Sequence, residues 1–418
     1  MKNESPWSLS LLNNRFPALH GLRVLAILLV VQLHATDAIT HESMGVRPGA
    51  VPTNWGALLS FNAWFAMDLF FIMSGFLIGH ILIYAFTQSK EHSGTVFKRF
   101  YFRRSFRTFP LYYFFLFSFY FIDKVVPVAT PVTRLGFTGL TYHELFYLTN
   151  YPFEAWHYLA YWSWSLSLEE HFYLLAPLFI YFLMKLQTHR ARFIMLGVVW
   201  SMAFFVRLLT YLYWTHKDPL LFIPMTHIYA PTHVRFDILI AGIFIAYLDF
   251  FFSDQVKAFL SRKWIPLSMV LVSLCGFAVI LSPEINPTPL GLIDIKHLDL
   301  ITYTGRLGIF YFGTLTSICY VLLIIPCLYL ENRFTRWLGN INFLRLATLG
   351  YGIYLVHMPI VYKVAAFMNH YLPRPQDAFF IHWISVTTIA MILSSLLAYV
   401  MHLGIEKPCL FIRDKLIP

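Results

Sequence analysis

Arg23 and His34 are residue types suited to binding an anion and moving a proton, and they flank the mostly apolar run VLAILLVVQL. Eleven residues turn an α-helix through about 1100°, within ~20° of three full turns, and climb ~16 Å. Both side chains therefore share one helical face at different depths. A guanidinium at a membrane edge can hold a phosphate, and an imidazole further in, with an ordinary pKa of about 6.5, can take a proton from a hydroxyl. Spacing alone favours a plainer reading, in which Arg23 is a topology anchor and His34 a satisfied interfacial histidine.

Other groups repeat this choice between chemistry and architecture. Arg104 and Arg107 lie in FRRSFR, just before the aromatic run FPLYYFF, and three-residue spacing puts them on one helical face. They could clamp a phosphate in two prongs or anchor the chain at lipid headgroups, the commoner role of a basic juxtamembrane cluster. In WSLSLEEHFY, Ser167 and Glu170 fit the S-x-x-E capping box, which explains Glu170 but leaves Glu169 over. Glu169 could orient an imidazole, pair with an arginine, or sit at a helix's positive end. Asp68 and Ser74, Arg235 and Asp237, and Tyr354 with His357 complete the candidates, each readable also as a packed ion pair or hydrogen bond, with the two readings about equal for Asp68. Arg207 and Lys363 lie at membrane depth with no role that the sequence suggests.

The elements that must position these groups follow from composition. Of 418 residues, 58% are hydrophobic and 12% charged, against the roughly one-quarter charged content of a soluble domain. Apolar stretches recur near 22–35, 56–86, 109–122, 158–184, 193–214, 236–252, 265–282, 308–330, 346–368 and 380–403. The expectation is an all-α polytopic membrane bundle of about ten transmembrane helices. Of the 31 Lys and Arg, 21 sort to one side of alternating loops. By the positive-inside rule that side is cytoplasmic, with both termini, while the 123–157 and 283–306 loops face outward. The division expected is a cytoplasmic segment over 1–20, a transmembrane domain over 21–405 and a short cytoplasmic tail over 406–418, with no soluble appendage and a retained first helix.

The net charge of +10 sits in short loops between apolar runs, which reads as topology rather than nucleic-acid binding. Cys275, Cys319, Cys327 and Cys409 form no C-x-x-C pair and read as core thiols, neither disulfides nor metal ligands. Phosphate-loop, dinucleotide, HExxH and GxSxG signatures are absent, so no ATP or metal chemistry is expected.

Seven segments together resemble the membrane-bound acyltransferase-3 family: LHGLRVLAILLVVQLHA, MDLFFIMSGFLI, FRRSFRTFPLYY, WSWSLSLEEHFYLLAP, RFDILIAG, LGYGIYLVHMPI and the closing EKP. Their order holds from Leu19 to Pro408. The resemblance implies a ten-helix domain that moves an acyl group, usually acetyl from acetyl-CoA, onto a hydroxyl of an extracytoplasmic glycan or glycolipid precursor. It places the catalytic positions on His34 and Glu169 and the donor-binding positions on Arg23, Arg104 and Arg107. His171 stands where glutamine is usual, Gly350 replaces the usual serine of the Ser-Tyr motif, and no SGNH esterase-like domain follows. The partners implied are acyl-CoA, a carbohydrate or glycolipid acceptor and the lipids of a bacterial cytoplasmic (inner) membrane. Direct transfer and an acyl-enzyme both remain open, and the rival class is a transporter or flippase whose buried charges line a solute path.

Overall fold

Lipid offers a backbone no hydrogen-bonding partner, so apolar segments of this length must satisfy their N–H and C=O groups internally, as helices. A computed structural model describes residues 15–42, 63–89, 91–125, 140–151, 158–217, 225–281, 311–371 and 379–417. Among them there are helices and turns and no strand. The start of the expected N-terminal segment, most of the 123–157 loop and the 283–306 loop lie outside the described residues.

The helices are α1 (Ala18–Glu42), α2 (Ala66–Thr87), α3 (Ser93–Val125), a single turn α4 (Tyr142–Leu145), α5 (Trp164–Lys185), α6 (His189–Lys217) and α7 (Thr232–Leu260). They continue as α8 (Trp264–Leu281), α9 (Thr316–Tyr329), α10 (Arg333–Leu338), α11 (Ile341–Thr348), α12 (Gly350–Tyr371), α13 (Phe379–Met401) and α14 (Lys407–Leu416). Among the described residues, each apolar stretch falls mainly on helix. Among the same residues, seven helical stretches are long and apolar enough to cross a membrane: Ala18–Ile39, Ala63–Thr87, Tyr161–Lys185, His189–Lys217, Thr232–Leu260, Gly350–Tyr371 and Phe380–Leu416. Trp264–Ile280 and Gly313–Tyr329 are apolar but shorter. The third stretch is the second half of α3, whose first half carries the basic cluster. The fold is an all-α polytopic membrane protein.

Contacts divide the chain into two units. Unit one comprises Met1–Leu22, Met67–Tyr101 and Ser165–Asn340; unit two comprises Arg23–Ala66, Phe102–Trp164 and Ile341–Pro418. Neither is a continuous segment, and α1, α3 and α5 each contribute to both.

Within unit one, α2 and α7 cross at facing glycines. A Cβ on Gly242 would strike the carbonyl oxygen of Ile72 and lie 2.8 Å from the Cα of Gly75, and a Cβ on Gly75 would strike the carbonyl oxygen of Leu239. Small residues here let two backbones touch, the usual device for packing helices where lipid supplies no hydrophobic drive between them. Within unit two, α12 packs along α13, with Gly352 against Ala398.

Two sequence expectations change. Helix α5 begins at Trp164, preceded by a 3-10 turn over Tyr161–Ser163, so Ser167 and Glu170 lie inside the helix and no capping box forms there. The apolar aromatic run upstream extends the helix beyond the polar residues that mimic a start signal. Of the four cysteines, all free, only Cys319 and Cys327 are buried, while Cys275 is exposed and Cys409 half-buried. An exposed thiol on an apolar helix needs no core, because lipid solvates it.

Candidate active site

In unit two, α1 carries Arg23 and His34, both half-buried, on one continuous helix, as the spacing requires. Against His34 lies His357 of α12, with ring centroids 5.1 Å apart and planes tilted by 42°. His357 is fully buried, and its Nδ1 lies 2.5 Å from the carbonyl oxygen of Tyr354, one turn earlier. That turn is held from the side: the Tyr354 hydroxyl donates to the carbonyl of Trp162 at 2.5 Å, and the Trp162 indole donates to the carbonyl of Leu355 at 3.2 Å. His357, a candidate from the sequence, is thus brought to His34 by a helix more than three hundred residues away in the chain, and Tyr354, the candidate beside it, holds the His357 ring.

Sequence reasoning missed Asp37 and Tyr362. Asp37 stands one turn beyond His34 on α1, and its Oδ2 accepts the Tyr362 hydroxyl at 2.6 Å. The three-residue step from His34 to Asp37 was visible as a spacing that puts both on one face. Trp383 of α13 secures the same turn of α1 by donating to the Thr36 hydroxyl at 2.9 Å.

The basic cluster of α3 sorts into different duties. Arg103 donates to the carbonyl of Ile417 at 3.0 Å and pairs with Asp414 at 3.2 Å, fastening α14. Arg104 and Arg107 are half-buried on the same helix. Among the described residues Arg107 has no hydrogen-bond or ion-pair partner. An arginine with its fork uncommitted can grip an anion through two N–H groups.

The remaining candidates belong to unit one, where opposite charges meet. Asp68 of α2 pairs with Arg235 of α7, both fully buried, and the Arg235 guanidinium also lies over the Tyr229 ring, 4.2 Å from its centroid. Asp237 does not pair with Arg235 but with Arg207 of α6, at 2.7 Å. Arg207 also donates to the Val234 carbonyl and the Thr314 hydroxyl, and Thr314 donates to Asp237 at 3.0 Å. Gly313, at φ +88°, brings its backbone against this pair, where a Cβ would collide with both Asp237 oxygens. Arg207 was left without a role by the sequence because its partners lie 27 to 107 residues away.

Glu169 also belongs to unit one. Its Oε1 accepts the Ser74 hydroxyl at 2.6 Å and its Oε2 the Tyr173 hydroxyl at 3.3 Å. Beside it in sequence, His171 shares a hydrogen bond with Thr232 at 2.7 Å, which occupies the ring that departs from the family pattern. A third cluster, unanticipated, gathers on buried Asp249 of α7, which accepts from Arg15 at 3.0 Å, His80 at 3.0 Å and Tyr329 at 2.7 Å. Among the described residues no group of three or more His, Cys, Asp or Glu is placed to hold a metal ion.

The peptidoglycan O-acetyltransferase OatA of Listeria monocytogenes is 24% identical over 371 residues, covering 82% of this chain and 49% of the relative. The putative peptidoglycan O-acetyltransferase YrhL of Bacillus subtilis is 26% identical over 368 residues, covering 82% of this chain and 48% of the relative. The O-acetyltransferase OatA of Staphylococcus aureus is 24% identical over 406 residues, covering 94% of this chain and 57% of the relative. The chain thus spans about half the length of the curated relatives it matches. No solved structure matches it. The family model described as "Acyltransferase domain" matches residues 16–403, which takes in every helix from α1 to α13 and every candidate residue above, and the chain belongs to that acyltransferase family.

Proposed function

We propose that this membrane domain transfers an acetyl group from cytoplasmic acetyl-CoA to a hydroxyl of a glycan or glycolipid precursor beyond the cytoplasmic membrane. The observation that carries the reading is the pair of imidazoles, His34 and His357, in the unit that also holds Arg23, Arg104 and the uncommitted Arg107. The names of the relatives support O-acetylation, and two of them make peptidoglycan the first acceptor to test. In this reading both termini are cytoplasmic and the chain crosses a bacterial inner membrane ten times. Arg23 then lies toward the cytoplasm and His34 toward the far side.

The chemistry follows from the residue types. Arg107, with Arg104 and Arg23, holds the donor's phosphates. His34 takes the proton of the acceptor hydroxyl as its oxygen attacks the thioester carbonyl; the C–S bond then breaks, and the thiolate takes the proton back from His34. General-base help of this kind contributes typically ~10² to 10⁴ in rate. Glu169 keeps the catalytic position that the family resemblance gives it, as a carboxylate held by Ser74 and Tyr173.

Detergent-purified protein with radiolabelled acetyl-CoA and a peptidoglycan or lipid-linked glycan acceptor tests the reading. Label should move to an acceptor oxygen, in an alkali-labile linkage. Uptake of a solute into proteoliposomes with no acetyl-CoA consumed would replace this reading by transport.

A further inference from the structure

His357 is held in one tautomer by its own helix. A carbonyl oxygen only accepts, so the 2.5 Å contact from Nδ1 to the Tyr354 carbonyl requires the proton on Nδ1. Nε2 then carries the lone pair. That nitrogen is buried and has no hydrogen-bond partner among the described residues. Buried polar atoms are nearly always satisfied, so an open lone pair beside a second imidazole calls for an explanation. Two imidazoles whose centres are 5.1 Å apart bring facing ring nitrogens to roughly 3 Å once the rings turn edge to edge, within ordinary hydrogen-bond reach.

We propose that His357 is a positioning residue whose Nε2 accepts a ring N–H of His34, fixing His34 in the tautomer whose other nitrogen faces the acceptor hydroxyl. The proposal rests on the reading of His34 as general base. It gives a physical reason for the pinning of Tyr354 by Trp162, because the carbonyl that sets the His357 tautomer must not move. The competing partner for the His34 N–H is Asp37, one turn away, whose Oδ2 is already taken by Tyr362. A neutral acceptor suits a base better in one respect: it orients the ring without adding a negative charge that would hold the proton on His34 after transfer.

The decisive measurement is NMR of the ring nitrogens in the full chain, purified in detergent with isotope-labelled histidine, with His34 assigned by its loss in His34→Gln. Wild-type His34 should show one tautomer when neutral. His357→Asn keeps a donor toward the Tyr354 carbonyl and removes the ε atom, so His34 should become a mixture of tautomers. Its kcat should fall roughly 10- to 100-fold, as when an orienting partner is removed elsewhere, with KM for acetyl-CoA unchanged. His357→Gln restores an acceptor near the ε position and should recover most of the rate. A His34 tautomer unchanged in His357→Asn, or a mixture already present in wild type, would overturn the proposal, as would His357→Gln no more active than His357→Asn. If the single tautomer shifts only in Asp37→Asn, the carboxylate and not His357 is the partner. Should His357→Asn fail to fold, the wild-type tautomer and Asp37→Asn still decide. The tautomer is read without turnover, so absence of acetyl transfer by wild type counts against the acyl-transfer reading alone.

Discussion

Arg207 in unit one and His357 in unit two are both fully buried on apolar helices, yet their polar atoms are treated differently. Arg207 is surrounded: Asp237, Thr314 and the Val234 carbonyl take its N–H groups, and Gly313 gives up a side chain to let the backbone close over the pair. His357 gives one nitrogen to its helix and leaves the other open. Asp249 resembles Arg207, with three donors on one carboxylate, while Arg107 resembles His357 in being uncommitted. The saturated Arg207–Asp237 and Asp249 clusters are locked into a single arrangement and serve architecture. Open ones keep capacity to bind or exchange a proton. The contrast sorts candidates that residue type alone cannot, since an intramembrane ionisable group reads as functional by default.

The contrast is most exposed to failure at Asp237. If the Arg207–Asp237 pair is architecture, Asp237→Ala leaves a buried guanidinium uncompensated and should destabilise the protein by about 3–5 kcal/mol, with the surviving folded fraction still active. Thermal unfolding in detergent, beside transfer per folded molecule, would show it. Selective loss of transfer at unchanged stability would move the pair out of the structural class. In unit two the opposite pattern is expected. His34→Gln keeps size and hydrogen bonding but cannot exchange a proton near neutral pH, so turnover should fall by at least ~10² with donor binding and melting temperature nearly unchanged. Wild-type turnover in His34→Gln would exclude it as the base.

Arg103 and Arg107 allow the same test within one helix turn. Arg107→Ala should weaken acetyl-CoA binding by roughly tenfold or more, as expected for a lost charged hydrogen bond, and Arg107→Lys by less. Arg103→Ala loosens α14, a partly exposed contact worth at most about 1 kcal/mol, and should leave donor affinity alone. Equal losses at both positions in a calorimetric titration would mean that the cluster acts only through its summed charge.

How far the sequence foretells these assignments depends on the range of the interaction. Where they are described, the apolar stretches become helices because their hydrophobic runs are local and long, and Arg23 shares a helix with His34 for the same reason. The Ser167–Glu170 motif misleads because a capping signal is only four residues long and the flanking aromatics continue the helix past it. Arg207 is opaque because its partners come from α7 and from the turn before α9. His357 carries a motif, but that it meets His34 rather than Glu169 or Asp68 is a tertiary fact, and so is the pairing of Arg235 with Asp68 in place of Asp237. Asp37 was legible as a neighbour of His34 by spacing; its bond to Tyr362 was not.

Glu144 gives the smallest effect and tests whether saturation also governs an acid outside the spans. Its carboxylate accepts the Thr141 amide at 3.0 Å, the Thr141 hydroxyl at 3.3 Å and the Ala160 amide at 2.7 Å, tying the segment at 141 to the residues that lead into α5. These donors favour the ionised form, but burial outweighs them and lifts the carboxyl above its ordinary value of 4.5. The folded protein therefore keeps this proton at a pH where the unfolded chain has released it. Stability from the group is fully present below about 4.5, declines as pH rises toward the raised folded value, and is level above it. Glu144→Gln has no proton to lose. The melting-temperature difference, wild type minus Glu144→Gln, should thus shrink as pH rises from the unfolded value, and circular dichroism in detergent at a series of pH values would record it. A difference that grows with pH would mean that the donors win over burial, making Glu144 an ionised clamp whose strength increases as the solution becomes less acidic.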